Sequence, residues 1–228
     1  MATIPPKAFV SWSSGKDCAF AVWQCRQLGL ADVVGVLTTL NEEYDRVAMH
    51  GVRNELLDRQ VAALGLPVLK VPLPNPCSNE VYEQRMTVAC ARMKAQGIEH
   101  VVFGDLFLEG IRAYREEKLA IAGMKPLFPI WMPGSGRSTL DLAGDMIESG
   151  MVAYLACIDP RKLDRSFAGR RFDRDLLRDL PPDVDPCGEN GEFHTVVTAG
   201  PMFSVPIEVR VGAVVEREGF VFADVLPA

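Results

Sequence analysis

Lys7-Ala-Phe-Val-Ser-Trp-Ser-Ser-Gly-Lys-Asp-Cys-Ala-Phe-Ala-Val-Trp-Gln-Cys-Arg-Gln-Leu28 reads as a strand, a loop of small residues and a helix in direct succession. The first six residues are β-prone, the stretch from Cys18 has helical composition, and Gly29 ends it. A serine- and glycine-rich turn between a strand and a helix suits an anion, because backbone N–H groups and the positive end of the helix dipole converge there. Ser13-Ser-Gly-Lys-Asp17 occupies that place. It is not a Walker A loop: Val10 stands where the first glycine of G-x-x-x-x-G-K-[ST] belongs, and aspartate follows the lysine. The dinucleotide pattern G-x-G-x-x-G is absent too. From the residues alone, an ordinary βα turn stays open as the alternative.

The same alternation continues outward. Asp32–Thr39 is a nearly unbroken apolar run, as a parallel strand buried on both faces requires. A helix over Val52–Leu64 ends at Gly65, and a strand over Leu66–Val71 is punctuated by Pro72, Pro74 and Pro76. A long helix from Asn79 to Gln96, a strand His100–Phe103 and a helix Leu108–Ala122 follow. Four βα units of this kind predict an α/β fold with a doubly wound parallel sheet. After Lys125 the texture changes, with Pro126, Pro129, Pro133, Gly134 and Gly136 crowded together as in a linker or a loop over a cleft. The expected organisation is therefore residues 1–125 as one domain and 126–228 as a smaller α+β domain. In the latter, helices at Ser138–Glu148 and Arg174–Leu180 accompany strands at Met151–Ile158, Phe193–Val197, Ile207–Val215 and Phe220–Val225. The turn Glu216–Gly219 makes the last two strands a hairpin.

Composition excludes several classes. With 48% hydrophobic and 24% charged residues, the 228-residue chain is neither disordered nor fibrous. No run approaches the roughly 20 apolar residues of a membrane span, and Met1–Lys7 lacks the features of a secretory signal, so the chain reads as cytoplasmic. A net charge of −6 disfavours nucleic acid as a partner. The six cysteines form no C-x-x-C pair and are expected to be reduced and mostly buried.

The loop resembles the S-G-G-K-D-[ST] pyrophosphate loop of the N-type ATP pyrophosphatases. Further stretches match in order: Met49-His-Gly-Val-Arg53, Phe103-Gly-Asp-Leu-Phe-Leu-Glu109 with Tyr114-Arg115, Leu127-Phe-Pro-Ile-Trp131, and Cys187-Gly-Glu-Asn-Gly-Glu-Phe-His-Thr195. Together they resemble the diphthine ammonia ligase family and its bacterial relatives, which carry an adenine nucleotide alpha hydrolase-like (HUP) domain. Two departures stand out. Ser14 replaces the first glycine, which is tolerable if its φ is negative, and Cys18 replaces a serine or threonine, leaving a weaker donor.

The resemblance implies an ATP-dependent ligase. A carboxylate is activated as an acyl adenylate with release of pyrophosphate, and ammonia then attacks to give an amide and AMP. It implies ATP and Mg²⁺ as cofactors, with Ser13, Ser14, Gly15, Lys16 and Asp17 on the phosphates, Asp17 helping to hold the metal, and the backbone at Thr38 taking adenine. For Asp17 the alternative is a stabilising acid in a first helical turn. Gly104 and Asp105 follow a strand at the same sheet edge. There the glycine would let backbone approach the ribose or α-phosphate, and the carboxylate would hold metal or orient a nucleophile. Arg112 and Arg115, three apart on a helix, are candidates to face an anion together, with surface pairing to Glu109 or Glu116 as the alternative. His50 is a candidate cleft residue, although a lone histidine is more often structural. By resemblance, Glu189, Asn190, Glu192 and His194 wall the acceptor site, with carboxylates for a cationic group and the histidine for proton transfer. A divalent-metal site and a solvated acidic turn are the competing readings. The acceptor's identity, protein or small molecule, does not transfer with the family, and homo-oligomerisation stays open. Other functions to weigh are an N-type pyrophosphatase acting on tRNA or a small metabolite, and a non-catalytic ATP or AMP sensor.

Overall fold

A computed structural model describes residues 4–228. The chain runs β1 (Lys7–Ser11), α1 (Lys16–Gln27), β2 (Asp32–Asn41), β3 (Arg46–Val47), α2 (Asn54–Leu64), β4 (Val68–Leu73), α3 (Asn79–Ala95), β5 (His100–Val102), α4 (Glu109–Ile121) and β6 (Lys125–Leu127). It continues through α5 (Thr139–Glu148), β7 (Val152–Ile158), α6 (Arg174–Asp179), β8 (Phe193–Ala199), β9 (Val209–Arg217) and β10 (Phe220–Pro227).

The first sheet places its parallel strands in the order β4-β2-β1-β5-β6. Chain order therefore reverses between β1 and β5, the topological switch point where open α/β sheets bind ligands. Side chains of β1 show the two-faced burial. Ala8 and Val10 pack with α1 and α2, while Phe9 packs with Ala89, Cys90 and Met93 of α3 and Leu119 of α4. That is the expected doubly wound α/β architecture.

Two strands were not apparent from the sequence. β3 pairs antiparallel with the end of β2 through Leu40 and Val47. β6 pairs parallel with β5 and contains Pro126, so the sheet runs two residues beyond Lys125, where a linker was expected. Pro126 in β6 and Pro72 in β4 both sit on edge strands, where a missing N–H need not break a ladder.

The second sheet is antiparallel, in the order β8-β7-β10-β9. Glu218 and Gly219 join its last two strands with φ of 52° and 80°, the pair of positive values a two-residue type I′ turn demands. Its buried residues, including Leu155, Val196 and Val197, join the α1 and α2 side of the first sheet in one continuous core. The six cysteines are free thiols, and only Cys77 is exposed. Among the described residues no helix is long and apolar enough to cross a membrane.

Candidate active site

The loop between β1 and α1 lies at the switch point, and its backbone is held from outside. Ser14 adopts φ of 71°, not the negative value that would make serine an easy substitute for glycine. Its carbonyl accepts from Gln60 Nε2 of α2 at 3.1 Å and from the Val197 amide of β8 at 2.9 Å, and these bonds fix the left-handed turn. Ser14 Oγ is buried without a partner among the described residues. The Cys18 thiol turns back on its own helix start, donating to the Gly15 carbonyl at 3.1 Å, and burial pushes it up to about 11.

Gly104 is required by close backbone packing here. A Cβ there would lie 2.6 Å from the Asp17 carbonyl carbon and the Cys18 amide nitrogen, so the glycine lets the end of β5 touch the start of α1. It serves backbone packing around the loop.

Lys16 is almost fully buried, at 1% exposure. Its Nζ lies 2.9 Å from both Asp17 carboxylate oxygens, donates to the Cys187 carbonyl, and sits 5.4 Å and 5.5 Å from the ring centres of Phe172 and Phe193. Burial alone pulls such an ammonium down, but the adjacent Asp17 carboxylate and the anionic groups beyond it outweigh that, and the Lys16 pKa is raised. Asp17, expected to hold metal, has both oxygens on this lysine. The Lys16 amide at the helix start donates to Thr195 Oγ1 at 3.0 Å. The segment Cys187–Thr195 thus covers the loop.

The carboxylates of that segment brace it from within. Glu189 Oε1 accepts from the Leu106 amide at 2.9 Å, and burial, followed by the charge of Asp17, pushes its pKa up to about 7. Glu192 is buried, with Oε1 accepting from the Asp185 amide at 3.1 Å and from Asn190 Nδ2 at 3.3 Å, while Oε2 has no partner among the described residues. The Asn190 carbonyl accepts from Lys162 Nζ at 2.6 Å. His194 lies beside His50, ring centres 4.7 Å apart, and His50 Nδ1 is 3.0 Å from the Thr195 carbonyl. A carbonyl only accepts, so Nδ1 carries the proton. Burial pulls His50 down to about 3, helped by His194, and His194 to about 4, so both rings are neutral at pH 7. Among the described residues no three His, Cys, Asp or Glu side chains are grouped to hold a metal.

A cavity of about 940 Å³ opens at the carboxyl ends of the parallel strands. Ser13, Thr38, His50, Arg115 and His194 line it, whereas Ser14–Asp17, Gly104, Asp105, Arg112, Glu189, Asn190 and Glu192 do not. Thr38 Oγ1 is buried without a partner among the described residues. Asp105 is held bidentately by Arg115, Nε at 2.6 Å and Nη2 at 3.0 Å, and Arg115 stacks 4.3 Å from the centre of Phe103. Arg112 instead bonds Glu116 at 2.8 Å and lies over Phe128 and Trp131. The two arginines therefore do not form a joint anion clamp.

Sequence reasoning gave no role to Gln60, Thr195, Arg46, Arg53 or Asp224. Gln60 interrupts the apolar face of Leu56, Leu57, Val61 and Leu64, a signal that was available. Thr195 caps the helix start from a distant strand. Arg46 and Arg53, joined through Asp224, stand in the cavity wall.

A glycine- and serine-bearing loop at the switch point of a doubly wound sheet, beside a ligand-sized cavity, places the chain among α/β proteins built to bind a ligand at the strand ends. Residues 6–126 match the Diphthamide synthase N-terminal domain and residues 138–224 the Diphthamide synthase C-terminal domain; the chain belongs to the diphthamide synthase family. It is also 24% identical over 224 residues to the Diphthine--ammonia ligase of Schizosaccharomyces pombe (strain 972 / ATCC 24843), a match covering 90% of this chain and 36% of that protein. The chain therefore spans about a third of that relative's length.

Proposed function

We propose that this protein is an ATP-dependent, AMP-forming ligase that activates a carboxylate as an acyl adenylate and passes it to ammonia. The observation that carries the reading is the Ser13–Asp17 loop at the switch point, next to a cavity whose wall includes Ser13 and the end of β2 at Thr38 and Thr39. Thr38 Oγ1, a buried hydroxyl of the cavity wall, has no partner among the described residues, which suits a polar ligand at this edge. In this reading residues 1–125 bind the nucleotide and residues 126–228 carry the acceptor side.

Adenine would lie against the β2 end and the phosphates against the loop. Mg²⁺ needs few protein ligands when phosphates and water complete its shell, so Asp17 fits as its holder once it releases Lys16. When bound, that ion supplies charge neutralisation on the departing pyrophosphate. Lys16 and the amides at the start of α1 would stabilise the same charge. His50 and His194, both neutral, stand in the cavity wall, with His50 against the loop at Gly15, and add no charge there. Access to Lys16 requires the Cys187–Thr195 segment to lift.

The covered lysine also favours a second reading, a nucleotide-binding sensor without turnover. Incubating the protein with Mg-ATP, ammonium and a cell extract separates the two, with Asp17→Ala as control. AMP and pyrophosphate, absent in the control, support the ligase. ADP rules out adenylation, and intact but bound ATP moves the assignment to the sensor.

A further inference from the structure

The cavity carries a cluster that this mechanism does not use. Arg46 of β3 and Arg53, the residue preceding α2, both hold Asp224 of β10. Arg46 Nη1 and Nη2 are each 3.1 Å from Asp224 Oδ1, Arg53 Nε is 2.9 Å from the same oxygen, and Arg53 Nη2 donates to Oδ2. Arg46 Nη1 also donates to the Gly51 carbonyl at 2.6 Å. All three residues line the cavity, with side-chain exposures of 20% for Arg46, 41% for Arg53 and 19% for Asp224.

The charges do not balance. Two guanidiniums share one carboxylate; Arg217 and Glu218 in the same wall offset each other, and Glu55, the other carboxylate near Arg53, is paired with Arg59, so one positive charge is left in excess on this wall. Arg46 Nε and Arg53 Nη1 have no hydrogen-bond partner among the described residues. Arg115 adds nothing to this excess, because Asp105 neutralises it. Arg53 is the N-cap residue of α2, which has no side-chain cap hydrogen bond, so the positive end of that helix starts beside this cluster. The carboxylates expected to receive a cationic acceptor, Glu189 and Glu192, lie outside the cavity wall.

We propose that Arg46 and Arg53, held in place by Asp224, form an oxyanion clamp for the acceptor: a small molecule bearing a carboxylate or phosphate in addition to the carboxylate that is activated. Guanidinium groups recognise such oxyanions bidentately, and a fork already fixed by Asp224 loses little freedom on binding. The term acceptor rests on the ligase reading; the oxyanion site does not.

The test is calorimetric titration of the full chain with succinate and with inorganic phosphate, with and without a non-hydrolysable ATP analogue. Wild type, Arg53→Gln, Arg53→Lys and Asp224→Asn are compared, and thermal unfolding confirms that each variant is folded. The clamp predicts binding by the wild type, at least tenfold weaker binding in Arg53→Gln, an intermediate loss in Arg53→Lys, and probe binding that persists with the analogue bound. Wild-type protein that ignores both probes overturns it, as does a folded Arg53→Gln that binds them unchanged. Displacement of the probes by the analogue also overturns it, by showing that the arginines hold nucleotide phosphates. Oxyanion binding without analogue binding leaves the clamp standing and removes the ATP reading instead.

Discussion

Gln60 fixes the conformation of Ser14: its Nε2 donates to the Ser14 carbonyl at 3.1 Å and to the Val197 carbonyl at 2.7 Å, while its Oε1 accepts from Trp12 Nε1 at 3.1 Å. One buried amide thereby joins Trp12 just after β1, the turn at Ser14 and β8. Gln60→Leu fits the apolar surroundings in size but leaves the indole N–H and the Val197 carbonyl unpaired. Each such group costs about 1–3 kcal/mol and the leucine's apolar burial offsets part of that, so the variant is expected to lose about 2–4 kcal/mol. In a chain of this length that corresponds to a midpoint lower by roughly 5–15 °C. Thermal unfolding checks it; a midpoint within a degree or two of wild type means that the amide is dispensable.

The left-handed turn at Ser14 gives a prediction of opposite sign. Serine at φ of 71° bears the Cβ strain that glycine avoids, and its hydroxyl is buried and unpaired. Ser14→Gly removes both penalties and adds the flexibility cost of glycine, about 0.5–1 kcal/mol. The net expectation is a gain of about 1 kcal/mol, with Ser14→Ala intermediate because it loses the orphan hydroxyl and keeps the strain. Urea midpoints should rank Gly above Ala above Ser. A wild type more stable than both would mean that the hydroxyl is bonded.

Local signals carried most of the fold and part of the site. Helices ending at Gly29, Gly65, Gly97 and Gly123 and a continuous apolar β2 are properties of short windows, and they translated directly into the parallel sheet. β6 did not, because three residues containing Pro126 become a strand only beside β5. The phosphate-type loop was equally local, but its covering was not, since Lys16 and Thr195 are 179 positions apart. Arg112 and Arg115 look equivalent on one helix. Asp105 beside one, and Phe128 and Trp131 beside the other, give them different tasks. The Arg46–Asp224 contact spans 178 positions and left no local trace.

Glu189 gives the fold a pH signature. A carboxyl raised to about 7 binds its proton more tightly in the folded chain than in the unfolded one. Its stabilising contribution is therefore complete below the ordinary value of 4.5 and is lost as pH rises through about 7. His50 and His194 run the other way, stabilising above 6.5 and losing that contribution as pH falls toward about 3 and 4. Glu189→Gln keeps an acceptor for the Leu106 amide and cannot ionise, so it isolates the first effect. The variant should gain on wild type between pH 5 and pH 8 by up to a few kcal/mol, since each tenfold difference in proton affinity between the folded and unfolded chain is worth about 1.4 kcal/mol. Parallel stability curves over that range would show that Glu189 ionises as a solvated carboxyl does.

The proposed reaction needs Lys16 most, and the Cys187–Thr195 segment covers it, so the bond from the Lys16 amide to Thr195 Oγ1 is the place to separate a lid from a permanent wall. Thr195→Val is close in shape and removes that bond, leaving an N–H at the start of α1 unpaired. A buried unpaired amide costs about 1–3 kcal/mol in the unliganded fold. If the segment lifts for nucleotide, part of that cost is already incurred before binding, and a phosphate oxygen can take the freed N–H at the positive end of the helix. The variant should then be less stable alone but bind an ATP analogue several-fold more tightly, with a larger thermal shift on binding. Unchanged or weaker nucleotide binding, together with the same loss of stability, would show instead that Thr195 is part of a fixed wall and that the Lys16–Asp17 pair is structural.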